Sequence, residues 1–216
     1  KKFTTEELAK RAEKRVKGGR ANRFAAFGID HFIQLFSVNI LILIVWVIMY
    51  FLGKTVGGDD INLYTLPINM QIPTVILMLA IPFFYQVILP YYIMEGQSFG
   101  KRLVGLKIVR NDGEKAELKN YLLRFVGMIL EGHPNFSITG TVVYFLYAQY
   151  FAPEMSTQIG QILGYIFAAS IIIAMIQKNR RSIHDFIGGT KVIPVTPVDL
   201  TDYSRAKDIK VDVSNM

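Results

Sequence analysis

The sequence contains no cysteine, which excludes a disulfide framework, a thiolate metal site and a cysteine nucleophile. Charge is missing over four long stretches. No Asp, Glu, Lys or Arg occurs in the 23 residues between Asp30 and Lys54, the 34 between Asp60 and Glu95, the 22 between Glu131 and Glu154, or the 23 between Glu154 and Lys178. A bilayer core about 30 Å thick needs roughly 20 apolar residues at about 1.5 Å each, and every stretch reaches that length. With 51% hydrophobic and 19% charged residues among 216, the composition points to an integral membrane protein and away from a soluble enzyme. No internal repeat is present, which counts against an inverted-repeat transporter within one chain.

The charge that remains is crowded between the apolar stretches. Of 24 Lys and Arg residues, 9 precede Phe24, 7 fall between Lys101 and Arg124, 7 lie from Lys178 onward, and Lys54 stands alone between the first two stretches. The positive-inside rule then puts both termini in the cytoplasm, leaving only Lys54 outside. A net charge of +7 is explained by basic residues facing an anionic inner leaflet, so membrane lipid is the expected partner and nucleic acid is not needed. No cleavable signal is expected ahead of the first apolar run, and the first span is expected to serve as an uncleaved anchor.

Along the chain, three regions are expected: a basic amphipathic helix in 1–19, a four-span membrane domain in 20–196, and a polar tail in 197–216. Within the first, residues 4–17 read as a helix capped by Thr4 or Thr5 and ended by Gly18-Gly19, either lying on the leaflet or solvated. Spans are expected over about 32–52, 73–94, 136–151 and 158–177, the second kinked by Pro82 and Pro90. Residues 96–118 alternate around an Asn111-Asp112-Gly113 turn and read as a cytoplasmic β-hairpin. Residues 119–131 predict a helix too short to span, interfacial or re-entrant, and 190–195 a further strand-like run. The expected fold is therefore all-α with four transmembrane helices, cytoplasmic termini, an interfacial helix and a small β-hairpin.

Three clusters are candidates for chemistry. Arg23 and Asp30 are seven apart, about two helical turns, so they share one face near the inner edge of the first span. An ionisable residue at membrane depth is costly unless paired or wet, which makes Asp30 a candidate proton or cation site. The second cluster is His184-Asp185 leading into Gly188-Gly189, with Asp185 able to cap backbone N–H groups or pair with an arginine. In the third, Gly96-Gln-Ser-Phe-Gly-Lys-Arg, the sequence matches no phosphate-binding loop, and Lys101 and Arg102 are expected at lipid headgroups. Arg124 and His184 are secondary candidates. The three histidines are scattered, with His133 expected near the outer face, and no nucleophile–base pair or metal set converges. Neither an enzyme nor a cofactor is expected.

These motifs resemble the RDD family of membrane proteins. Arg23-Phe-Ala-Ala-Phe-Gly-Ile-Asp30 is similar to its first-helix signature, Gly96 to Val109 to its loop after span two, and His184-Asp185-Phe-Ile-Gly-Gly-Thr190 to its closing motif. The resemblance covers roughly residues 20–195 and implies that Arg23, Asp30 and Asp185 are the family's named arginine and aspartates, with Asp30 and Asp185 as candidate proton or cation ligands. In the four-span arrangement all three lie at the cytoplasmic edge. A guanidinium shared between two carboxylates there is either a structural clasp or a site where a cation or proton competes. The resemblance implies transport of a cation, proton or small solute, or an accessory role, in a multi-pass protein of the bacterial cytoplasmic membrane. Two functions are carried forward: a transporter or transport-complex component, and a non-transporting scaffold that binds lipid, membrane-protein partners or further copies of itself.

Overall fold

The structure is a computed structural model and describes residues 19–53, 63–133, 137–177 and 181–195. The expected helix over 4–17 and the tail beyond 196 lie outside these residues. Helix α1 (Gly19–Phe51) is followed by a short 3-10 turn (Leu63–Thr65) and by α2 (Ile68–Phe83), which runs on into a π-helical stretch (Phe84–Ile93). Then come α3 (Phe99–Leu103), β1 (Leu106–Arg110), α4 (Leu118–Leu130), and α5 (Ile138–Leu146) with its own π-helical continuation (Tyr147–Phe151). Helices α6 (Ser156–Ile176) and α7 (Ile183–Ile187) lead to β2 (Thr190–Pro194).

Among the described residues, three helices are long and apolar enough to cross a membrane: Ala21–Phe51, Ile68–Ile93 and Pro153–Ile176. The stretch expected as the third of four spans becomes the α5 segment, 138–151, which at about 1.5 Å per residue reaches only about 21 Å. Pro90 lies inside the π-helical part of the second span. Proline supplies no N–H to the helix ladder, and wider turns let the backbone around it be re-satisfied.

The spans differ in how much of themselves they bury. The second has 44% of its most apolar window inside the protein, against 17% for the first and 11% for the last. On α1 the inward stripe is Ala26, Asp30, Gln34 and Val38, spaced four apart, so a single helical face meets the rest of the fold. Val38, Val75, Met78, Val142 and Phe145 form one apolar core where α1, α2 and α5 meet. A second core lies under the sheet, where Ala26, Val87, Leu106, Ile108, Tyr121 and Val192 join.

The sheet differs from the expected hairpin. Strand β1 pairs antiparallel with β2, in register from Leu106 opposite Pro194 to Arg110 opposite Thr190. The Asn111-Asp112-Gly113 turn does reverse the chain, but its return is one isolated bridge, Val109 to Lys115. After that bridge α4 begins at Leu118, with Glu117 as its N-cap and Asn120 completing a reciprocal cap; the alternation that would extend a ladder is lost. Helix α4 buries Tyr121, Arg124 and Gly127 and exposes Leu122, Leu123, Val126 and Leu130, so its arginine points into the protein and its leucines point out.

Candidate functional site

Ionisable side chains converge at one end of the spans in three adjoining groups. In the first, the stripe of α1 places Asp30 inside the fold, only 3% exposed. Its Oδ1 accepts from the Tyr85 hydroxyl of the second span and from the Gly100 N–H of α3, each at 2.7 Å. Its Oδ2 accepts from Ser98 Oγ at 2.5 Å and Lys101 Nζ at 3.1 Å. Ser98 is the N-cap of α3, so the turn that starts the helix also delivers these donors. A β-carbon at Gly100 would lie 2.7 Å from Asp30 Oδ1; only glycine lets the two backbones approach this closely.

In the second group, Arg124 of α4 pairs with Asp185 of α7 through Nη1, which also donates to Thr190 Oγ1 at 3.2 Å. Asp185 Oδ2 accepts from the Ser182 N–H at 3.3 Å and from Ser182 Oγ at 3.1 Å, closing a reciprocal cap on the short helix. Helices α4 and α7 touch through Gly127, where a β-carbon would meet His184 Cα at 2.8 Å.

The third group is built on Glu131, which follows α4 directly. One carboxylate oxygen accepts from Ser170 Oγ of α6 at 2.5 Å and from the His184 N–H at 3.3 Å. The other meets His184 Nδ1, while His184 Nε2 lies 2.9 Å from Arg124 Nη2. Ser170 is six residues from the end of α6, so Glu131 reaches about 9 Å along that span.

Burial pulls Lys101 below the usual lysine range, with Asp30 opposing the shift and Arg124 reinforcing it. Burial likewise lowers Arg124 to about 10, which leaves it charged at neutral pH. His184 is held well below 6.5, by burial first and then by Arg124 and Lys101. Among the described residues no group of three or more His, Asp and Glu side chains is arranged to hold a metal ion.

Comparison with known proteins fits this arrangement to a family. The model of the RDD family matches residues 17–189. The chain belongs to the RDD family. A similar protein is the uncharacterized protein YckC of Bacillus subtilis (strain 168), 28% identical over 113 residues, a match covering 52% of this chain and 56% of that protein. The chain thus spans a little over half the length of that relative. No solved structure matches.

Against the RDD motif, the geometry corrects two expectations. The arginine and two aspartates are not one clasp: Asp30 is held by Lys101, Asp185 by Arg124, and Arg23 donates through Nη2 to the Val192 carbonyl of β2. A shared helix face places Arg23 near Asp30, but cations arriving from α3 and α4 meet the carboxylates head on. Lys101 is also not at lipid headgroups. It is buried against Asp30, whereas Arg102 beside it is exposed, because successive helical residues point about 100° apart. Of the secondary candidates, Arg124 and His184 occupy the centre of the network. His133 sits partway along α6, with Gly164 and Phe167 as neighbours.

Tyr85, Glu131 and Ser170 lie outside the motifs the sequence singles out, and Ser98 and Thr190 belong to those motifs without being marked there as partners of a carboxylate. Glu131 alone carries a signal, since it borders an uncharged stretch at the end of a short apolar helix, but a charge in that place marks a span boundary as readily as a site.

Proposed function

We propose that this RDD protein is a transporter, or a component of a transport complex, that moves a cation, proton or small solute. In this reading it crosses the bacterial cytoplasmic membrane four times with both termini inside, α5 making the short third crossing and α4 lying in the inner interface. The observation that carries the reading is the set of six ionisable side chains, Asp30, Lys101, Arg124, Glu131, His184 and Asp185, drawn together at the ends of apolar spans. Burying them is expensive at membrane depth, and a fold needing only adhesion has cheaper apolar solutions. Asp30, with four donors around it, acts here as a lock between α1 and α3. Purified protein in liposomes under sodium, potassium and proton gradients in turn tests the reading; gradient-driven flux is expected, and its absence under all three refutes it.

A second reading, a scaffold for lipid, partner proteins or further copies of the chain, is favoured by the thin cover on the first and last spans, 17% and 11% buried in their apolar windows. Crosslinking of single-cysteine variants on the outward faces of α1 and α6 in native membranes distinguishes it. Specific adducts without any flux support the scaffold.

A further inference from the structure

We propose that Glu131 and His184 form a proton-binding site, and that taking up a proton there displaces Arg124 from the imidazole. The use of that proton for coupling rests on the transport reading above; the binding itself does not.

The three buried carboxylates differ in their partners. Asp30 is paired with Lys101 and Asp185 with Arg124. Glu131 is paired with an imidazole, a hydroxyl and a backbone N–H. It is thus the one of the three whose basic partner is held neutral, with a ring nitrogen left to take up a further proton as the pH falls.

The contacts also fix where the ring proton sits. A guanidinium only donates, so His184 Nε2, 2.9 Å from Arg124 Nη2, presents a lone pair, which the Ser182 hydroxyl, also 2.9 Å away, can share as a donor, and the proton is on Nδ1, directed at Glu131. A second ring proton would set two donors head to head at Nε2. Arg124 then has to swing away, loosening the contact between α4 and α7, so an occupied proton site and a seated Arg124 exclude one another.

The charged groups that act on the pair come from every element packed around it. Arg124 on α4 and Lys101 on α3 resist a further positive charge. Asp185 on α7 lies opposite, with its carboxylate 3.9 Å from His184 Nε2, and α6 contributes the neutral Ser170. Asp30 and Arg23 on α1 bear on Arg124 with opposite signs. Arg181 is turned to the backbone carbonyls of Thr190 and Asp185.

A cleft lies near the site. Two residues after Glu131 the chain places His133 in an open cleft of about 550 Å³ along α6, whose walls include Tyr144, Thr157 and Gln161. Gly164 in the same wall is six residues from Ser170, about 9 Å along the helix. The cleft therefore opens less than two turns along α6 from the serine that holds Glu131.

Histidine-ring nitrogen NMR of the full chain in micelles tests the proposal, with the His184 signal assigned by its loss in His184→Gln. At neutral pH the wild-type ring is expected as the Nδ1–H tautomer; an Nε2–H tautomer overturns the proposal without any variant. Glu131→Gln removes the neighbouring negative charge and is expected to lower the His184 midpoint by one pH unit or more, while Arg124→Gln raises it. A midpoint that Glu131→Gln leaves unmoved overturns the proposal. Flux in liposomes is scored separately: expected NMR shifts without wild-type flux refute transport but leave the proton site, and flux without the shifts does the reverse.

Discussion

Gly100 and Asp30 are set so close that a methyl group on the glycine would lie 2.7 Å from the carboxylate oxygen and overlap the Ala26 carbonyl one turn earlier. The backbone of α3 is thus seated directly on α1, and the Gly100 N–H reaches Asp30 without an intervening side chain.

Gly100→Ala is therefore expected to push the two helices apart, costing about 1–3 kcal/mol and lowering the melting temperature in detergent. Gly28, on α1 with nothing within 4 Å of its would-be β-carbon, is the control. Gly28→Ala should be neutral or stabilising by up to about 1 kcal/mol, since alanine gives up less backbone freedom in a helix. Equal melting temperatures for the two variants would refute the close seating.

Asp30→Asn keeps the shape of the side chain but leaves Lys101 buried without its counter-charge. A loss of about 3–5 kcal/mol is expected. Adding Lys101→Met to that variant should recover much of it, because the stranded cation is gone. Urea or thermal denaturation of the single and double variants gives the coupling directly, and strict additivity would mean the pair contributes nothing.

The acid side of the stability curve should report His184. Its folded-state value is depressed below 6.5 by burial, Arg124 and Lys101, so between the two values the unfolded chain binds more protons than the folded one. Stability from this group is fully present above about pH 6.5 and falls as pH drops, by up to about 1.4 kcal/mol per unit. Melting temperatures from pH 8 to 5 should show that slope, and His184→Gln should flatten it. An unchanged slope in the variant would assign the acid sensitivity elsewhere.

Topology can be read with single cysteines, since the sequence has none of its own. Impermeant maleimide should label Cys at positions 59 and 155 from outside, and at 111 and 203 only after the membrane is opened. Labelling of position 111 from outside would invert the loop that carries Lys101 and Arg110.

Apolar spans are plain in the sequence because a run of some 20 residues without charge is rare outside a bilayer. The short helix α4 is legible for a similar reason, a 3.6 period between clear stops. What stays hidden is pairing across the chain. Val104 to Val109 alternates as any strand does, and alternation names no partner; β2, some 80 residues later, supplies it. The ion pairs are obscured in the same way. Asp30 is visibly too deep to be alone, but spacing along one helix points only to Arg23, whereas Ser98 capping aims Lys101 at it from another helix. Lys101 and Arg102 are chemically alike neighbours, and only the start point of a five-residue helix decides which one turns inward.

The pairing of β1 with β2 also orders events during synthesis. The register from Leu106 to Pro194 cannot form, and Arg124 cannot meet Asp185, until the last span has left the ribosome and entered the membrane, whereas Asp30 can find Lys101 as soon as α3 emerges. The amino-terminal half can lock early, while Arg124 and Glu131 must wait with their charges uncompensated through the insertion of two further helical segments. A chain truncated before residue 181 would keep the first ion pair and strand the second.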